Sequence, residues 1–145
     1  IIGSGTVTNR QQLQQSIDAG AKFAISPGMT KDLLQAGNES EIALIPGISS
    51  ISELMDASDF GYDHLKFFPA EASGGVNAIK SIGGPFPDVK FCPTGGINLN
   101  NVRDYLAQPN VACCGGSWLV PNSVVENKNW SEITKLSNEA LAYVK

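Results

Sequence analysis

Apolar residues cluster along the chain in short runs that begin at Ile1, Lys22, Glu41, His64, Val89 and Val111. Between these runs the apolar positions change to helical spacing. Residues 11–19 place Leu13 and Ile17 at i and i+4, residues 30–36 carry Leu33 and Leu34, and residues 50–60 open on Ser50-x-x-Glu53, the pattern of a capping box. Residues 74–82 and 98–107 continue the alternation. A final helix is predicted over 130–144, where Ile133, Leu136, Ala140 and Val144 share one face. Strands that alternate with single helices imply a parallel sheet joined by right-handed crossovers, as an open doubly wound layer or a closed barrel.

The ends of the strand runs favour the barrel. They read Ser4-Gly5, Ser26-Pro27-Gly28, Pro46-Gly47, Pro93-Thr94-Gly95-Gly96 and Gly115-Gly116-Ser117, while the run at Lys66 ends in Phe68-Pro69-Ala70-Glu71. In a (β/α)8 TIM barrel the carboxyl ends of all strands converge on the face that carries the active site. Six runs, the first opening directly on a strand, read as the last six βα units of such a barrel: a single truncated domain over residues 1–145, with its N-terminal part expected before Ile1. PTGG and GGSW would then follow strands seven and eight, between whose loops barrels often hold phosphate. There Gly95, Gly96 and Gly116 would offer backbone N–H groups, and Ser117 a hydroxyl as well. Each pair taken singly suits an ordinary tight turn equally well; two pairs in these two places favour an anion.

Composition narrows the partners. The 145 residues are 42% hydrophobic and 17% charged, as in a globular domain, and the net charge of -4 provides no basic field for nucleic acid or an anionic membrane. A small molecule or a protein is the expected partner, and an anion needs a local site. No run of 18 apolar residues marks a membrane span, and the first residues lack the layout of a signal peptide. Cys92, Cys113 and Cys114 lie in strand-like runs without the spacing of a metal knuckle or a disulfide framework, which fits a reducing cytoplasm. Neighbouring strand residues face opposite ways, so one of Cys113 and Cys114 is expected to pack inward and the other toward a helix, with neither reactive.

The candidate chemistry centres on DHLKFFPAEASGG, which sets Lys66 between Leu65 and two phenylalanines. Lysine in apolar surroundings either snorkels to water or has its pKa lowered by desolvation, which makes the amine a better nucleophile. Lys90, in KFCPTGG, has a similar neighbourhood, and period-two alternation allows both lysines to point inward. Lys90 precedes Thr94 by four residues, roughly 13 Å below that rim at about 3.3 Å per residue, whereas Lys66 lies two residues from its own. Spacing leans to Lys66 without deciding it. Lys22 reads as a solvated strand start, and His64, beside Asp63 ahead of its strand, as a surface residue.

From GSGTV through ISPG, LIPGIS, KFFPAEASGG, FCPTGGI and GGSWLVP, the chain closely resembles the bacterial 2-keto-3-deoxy-6-phosphogluconate (KDPG) aldolases, which also act on 4-hydroxy-2-oxoglutarate. The resemblance implies a class I aldolase: a homotrimer of (β/α)8 barrels that uses no metal or cofactor and forms an imine to the lysine of KFFPA, which matches Lys66. It further implies that Thr6 and Thr94 flank the pyruvoyl end of a phosphorylated keto acid, that Pro27 and Phe68 shape the pocket, and that Gly95, Gly96 and Ser117 hold the phosphate. Thr6 also suits a cap for the helix near Asn9, Pro27 a turn and Phe68 core packing.

The family's glutamate base and carboxylate-binding arginine match nothing here and are expected before Ile1. Arg10 and Arg103 fall on helical segments, and Glu71 is the acid-base candidate inside the chain. Two other classes remain open: a phosphate-binding barrel of isomerase or synthase type in which Lys66 acts only through its charge, and a non-catalytic fragment.

Overall fold

Each strand run pairs in parallel with the next along the chain, in the computed structural model, which describes residues 1–144. The strands are β1 (Phe23–Ile25), β2 (Ala43–Ile45), β3 (Gly47–Ile48), β4 (His64–Phe67) and β5 (Lys90–Pro93). β2 and β3 are one extended segment that changes partner at Pro46, pairing with β1 through Ala43–Ile45 and with β4 through Gly47–Ile48. At Pro46 itself only the carbonyl is available to the ladder, and it accepts from Lys66 N–H at 2.8 Å. The first and last predicted runs extend the array as single parallel bridges, Ser4 to Ala24 at one side and Phe91 to Val111 and Thr94 to Gly115 at the other. The four residues Phe91–Thr94 thus face the five residues Val111–Gly115, and the extra residue keeps the last run from forming a regular ladder.

Among the described residues, seven helices lie along this array: α1 (Arg10–Asp18), α2 (Lys31–Asn38), α3 (Ile51–Asp59), α4 (Gly75–Ile82), α5 (Val102–Leu106), α6 (Asn122–Glu126) and α7 (Trp130–Val144), with a 3-10 turn at Ser117–Leu119. The N-caps of the first three are side chains that accept from the first turn: Asn9 from Gln12 N–H, Thr30 from Leu33 and Ser50 from Glu53. At α3 the capping box is complete. Alternate strand residues build the core, so Leu65 and Phe67 of β4 and Phe91 of β5 are buried with Leu54, Ile79 and Tyr105 from the helices. A second cluster joins Ala24 and Leu44 to Leu13 and Leu33. Burial stops early in the sequence: among the described residues, none after Asn110 is buried.

Candidate active site

The residues left on the opposite face of the strands include the predicted lysine. Lys66 is half-buried on β4, in register with Gly47 on one side and Cys92 on the other, and its Nζ lies 4.3 Å from the centre of the Phe68 ring. Burial pushes its pKa below the ordinary 10.5, while the neighbouring Cys92 acts weakly in the other direction. More of the amine is therefore neutral and nucleophilic than on a solvated lysine. Lys90 serves a different end: two residues earlier in register than Lys66, it pairs with His64 and its Nζ donates to the Pro109 carbonyl at 3.0 Å. Lys22 is exposed. Of the three lysines, only Lys66 stands at the carboxyl ends of the strands.

The other predicted residues surround that end. Thr94 follows β5, donates from Oγ1 to the Cys92 carbonyl at 3.3 Å and bridges to Gly115. A Cβ at Gly115 would come within 2.7 Å of Thr94 Oγ1, so only glycine lets the last run approach. Pro27 ends β1, its carbonyl carbon only 2.3 Å from where a Cβ of Gly47 would stand. Thr6 is exposed at the end of the first run with φ of 61°, a left-handed conformation that a β-branched residue adopts only under constraint. It does not cap α1, since Asn9 fills that place.

Gly95 and Gly96 have φ of 99° and 80°, and Gly96 sits on the stem of Glu71, whose Cγ would lie 2.5 Å from a Cβ. Gly95 N–H faces the Gly115 carbonyl across the Thr94–Gly115 bridge, whereas, among the described residues, the N–H groups of Gly96 and Ile97 have no protein acceptor, nor do those of Gly116 and Ser117 at the start of the 3-10 turn. Successive unpaired N–H groups in such a turn form an anion-binding concavity.

Several features were not legible in the sequence. Glu71 accepts a hydrogen bond from the hydroxyl of buried Tyr105, so its carboxyl is turned to the helical layer instead of to Lys66. Arg10 pairs with Glu39 at 2.7 Å and Arg103 holds the Tyr143 carbonyl, both on the outside. Of the paired cysteines, Cys113 is exposed and Cys114 half-buried. The neighbouring Cys92 thiol lowers Cys113 to about 6, whereas burial raises Cys114 to about 12. Cys114 packs toward the helices, as alternation requires. A groove of about 520 Å3 between α1 and α2 contains none of the predicted site residues.

Residues 1–136 match the family model of the KDPG and KHG aldolases. The chain belongs to this family. It is 67% identical over 142 residues to the 2-dehydro-3-deoxy-phosphogluconate aldolase of Pseudoalteromonas atlantica, covering 98% of this chain and 66% of that protein. Identity to the KHG/KDPG aldolase of Escherichia coli is 57% over 141 residues, covering 97% and 66%. A crystal structure of KDPG aldolase from Legionella pneumophila, with pyruvate captured at low pH as a covalent carbinolamine intermediate, superposes with a TM-score of 0.90 at 58% identity, covering 93% of this chain and 66% of that one. The Zymomonas mobilis aldolase with 3-phosphoglycerate gives 0.90 at 42% identity, covering 99% and 67%. The chain spans about two thirds of the length of these KDPG aldolases and shares their α/β fold.

Proposed function

We propose that this chain is part of a class I aldolase that cleaves 2-keto-3-deoxy-6-phosphogluconate to pyruvate and glyceraldehyde 3-phosphate, and that also accepts 4-hydroxy-2-oxoglutarate. The observation that carries this reading is the placement of Lys66, half-buried over Phe68 at the carboxyl end of β4, with its pKa lowered by burial. The covalent pyruvate in the Legionella relative supports it. The neutral amine attacks the C2 ketone to form a carbinolamine, and loss of water gives an iminium that draws electrons from the C3–C4 bond. As the C4 hydroxyl gives up its proton, that bond breaks. The aldehyde leaves, the enamine is protonated at C3, and hydrolysis returns pyruvate and the free lysine.

In this reading Thr6, Thr94, Pro27 and Phe68 surround the pyruvoyl end. Gly95, Gly96, Gly116 and Ser117 hold the phosphate, with the unpaired N–H groups of Gly96, Gly116 and Ser117 as donors. The six parallel segments are staves of a (β/α)8 barrel, and the assembly is a cytoplasmic homotrimer, a stoichiometry that light scattering reads directly. Borohydride with pyruvate should add one three-carbon adduct to Lys66, and Lys66→Met should abolish it with the circular dichroism unchanged. An adduct on Lys90 or Lys22 would refute the assignment.

A further inference from the structure

The glycine pair after β5 is held by groups that the resemblance does not assign. The Gly96 carbonyl accepts from both Asn98 Nδ2, at 3.2 Å, and Asn101 Nδ2, at 3.1 Å. The two asparagines are themselves locked, since Asn98 N–H donates to Asn101 Oδ1 at 2.8 Å and Asn100 N–H to Asn98 Oδ1 at 2.9 Å. Asn101 occupies the N-cap of α5, where an asparagine ordinarily accepts from the first turn, yet its side chain makes no cap bond and turns back to the loop. One residue earlier, the Gly95 carbonyl accepts from Glu71 N–H at 3.1 Å. Both peptides of the pair are therefore fixed through their oxygens. In a trans peptide the N–H points opposite to the C=O, so Gly96 N–H points away from the Glu71 loop and Ile97 N–H away from the two amides.

We propose that Asn98 and Asn101 are positioning residues for phosphate recognition: by clamping the Gly96 carbonyl they aim the N–H groups of this turn at the anion. The inference rests on the phosphate site of the proposed function and adds the residues that orient it. Without the clamp, two glycines with positive φ are free to rotate their peptides, and the donors lose their common direction. A preorganised donor set needs no rearrangement when the anion arrives, so the effect falls on affinity for the phosphoryl group more than on the carbon–carbon bond step.

The test compares Asn98→Ala, Asn101→Ala and the double variant in the intact protein. With 2-keto-3-deoxy-6-phosphogluconate, KM should rise about tenfold for the double variant while kcat changes less, and the kcat/KM ratio of the phosphorylated substrate to 4-hydroxy-2-oxoglutarate should fall by a similar factor. An equal loss on both substrates, or an unchanged ratio, overturns the proposal. If the double variant does not fold, the single Asn98→Ala ratio is judged by the same criterion. Borohydride trapping of pyruvate on the unmodified protein reports separately on the aldolase reading. Should trapping fail, calorimetry with inorganic phosphate still decides the clamp: a weaker Kd in the variants supports it and an unchanged Kd overturns it.

Discussion

At the scale of single residues, two side chains set the reactivity of their neighbours by opposite means. The Phe68 ring lies 4.3 Å from Lys66 Nζ, where it both excludes water and attracts the ammonium with its π face. Phe68→Leu keeps an apolar neighbour and removes the π face, so the charged form loses support and the lysine pKa should fall further. The rate of borohydride trapping at neutral pH, where the neutral amine limits imine formation, is expected to rise by about two- to fivefold, the equivalent of one exposed cation–π contact; a slower rate would show that hydration dominates. Cys113 depends on the neighbouring thiol of Cys92. With its pKa lowered to about 6 by Cys92, it should be the first cysteine alkylated by iodoacetamide at pH 7. Cys92→Ala should move the midpoint of that reaction up toward the ordinary 9.0, a shift that peptide mass spectrometry across pH reads directly. Apolar neighbours and distance from the rim lean to Lys66 over Lys90, and the resemblance to the KDPG aldolases decides it. The lowered pKa of Cys113 was not legible, because it comes from the neighbouring Cys92 thiol and alternation gives only the direction in which a side chain points.

At the scale of elements, the sequence was most legible where a cap and an apolar stripe agree. The predicted helix over 50–60 is observed as Ile51–Asp59 with both hydrogen bonds of its capping box. Burial opposes ionisation of Glu53, yet hydrogen bonds from Ser49 and Ser50 prevail and hold its carboxyl below the ordinary 4.5. A depressed folded-state pKa contributes stability that is present above the unfolded value and is lost as pH falls through the folded one. The stability difference between the protein and Glu53→Gln, measured by urea unfolding, should therefore be constant above pH 4.5 and close at lower pH. Ser50→Ala should cost about 1 kcal/mol. The predicted helix over 98–107 is shorter in the structure, Val102–Leu106, because Asn98 and Asn101 serve the glycine turn instead of extending the helix. α6 and the 3-10 turn escaped the reading of apolar spacing, being only five and three residues long. The strand runs were found by their apolar content, but the change of partner at Pro46 was not, since pairing depends on what lies alongside and leaves no periodicity of its own.

At the scale of the whole molecule, the two halves of the proposed phosphate site stand on supports of unequal firmness. Gly95 and Gly96 follow β5, whose Phe91 lies in the main core, whereas Gly116 and Ser117 belong to the stretch after Asn110 in which no described residue is buried. α7 leaves Trp130, Leu141 and Tyr143 exposed, and Arg103, stacked 3.9 Å from the Tyr143 ring, ties it to α5. Amide hydrogen exchange should thus be slowest in β4 and β5 and fastest in α6 and α7, with local opening of the C-terminal stretch well below the free energy of global unfolding. Equal protection throughout would contradict this. An anion bound by both halves can remain bound only while the softer one is closed. Mass action then makes the ligand a fastener: at a hundred times its Kd it adds about 2.7 kcal/mol to any opening that releases it, slowing exchange through such openings about a hundredfold. Phosphate concentration, and not sequence alone, would set how long the stretch after Asn110 stays folded against the rest.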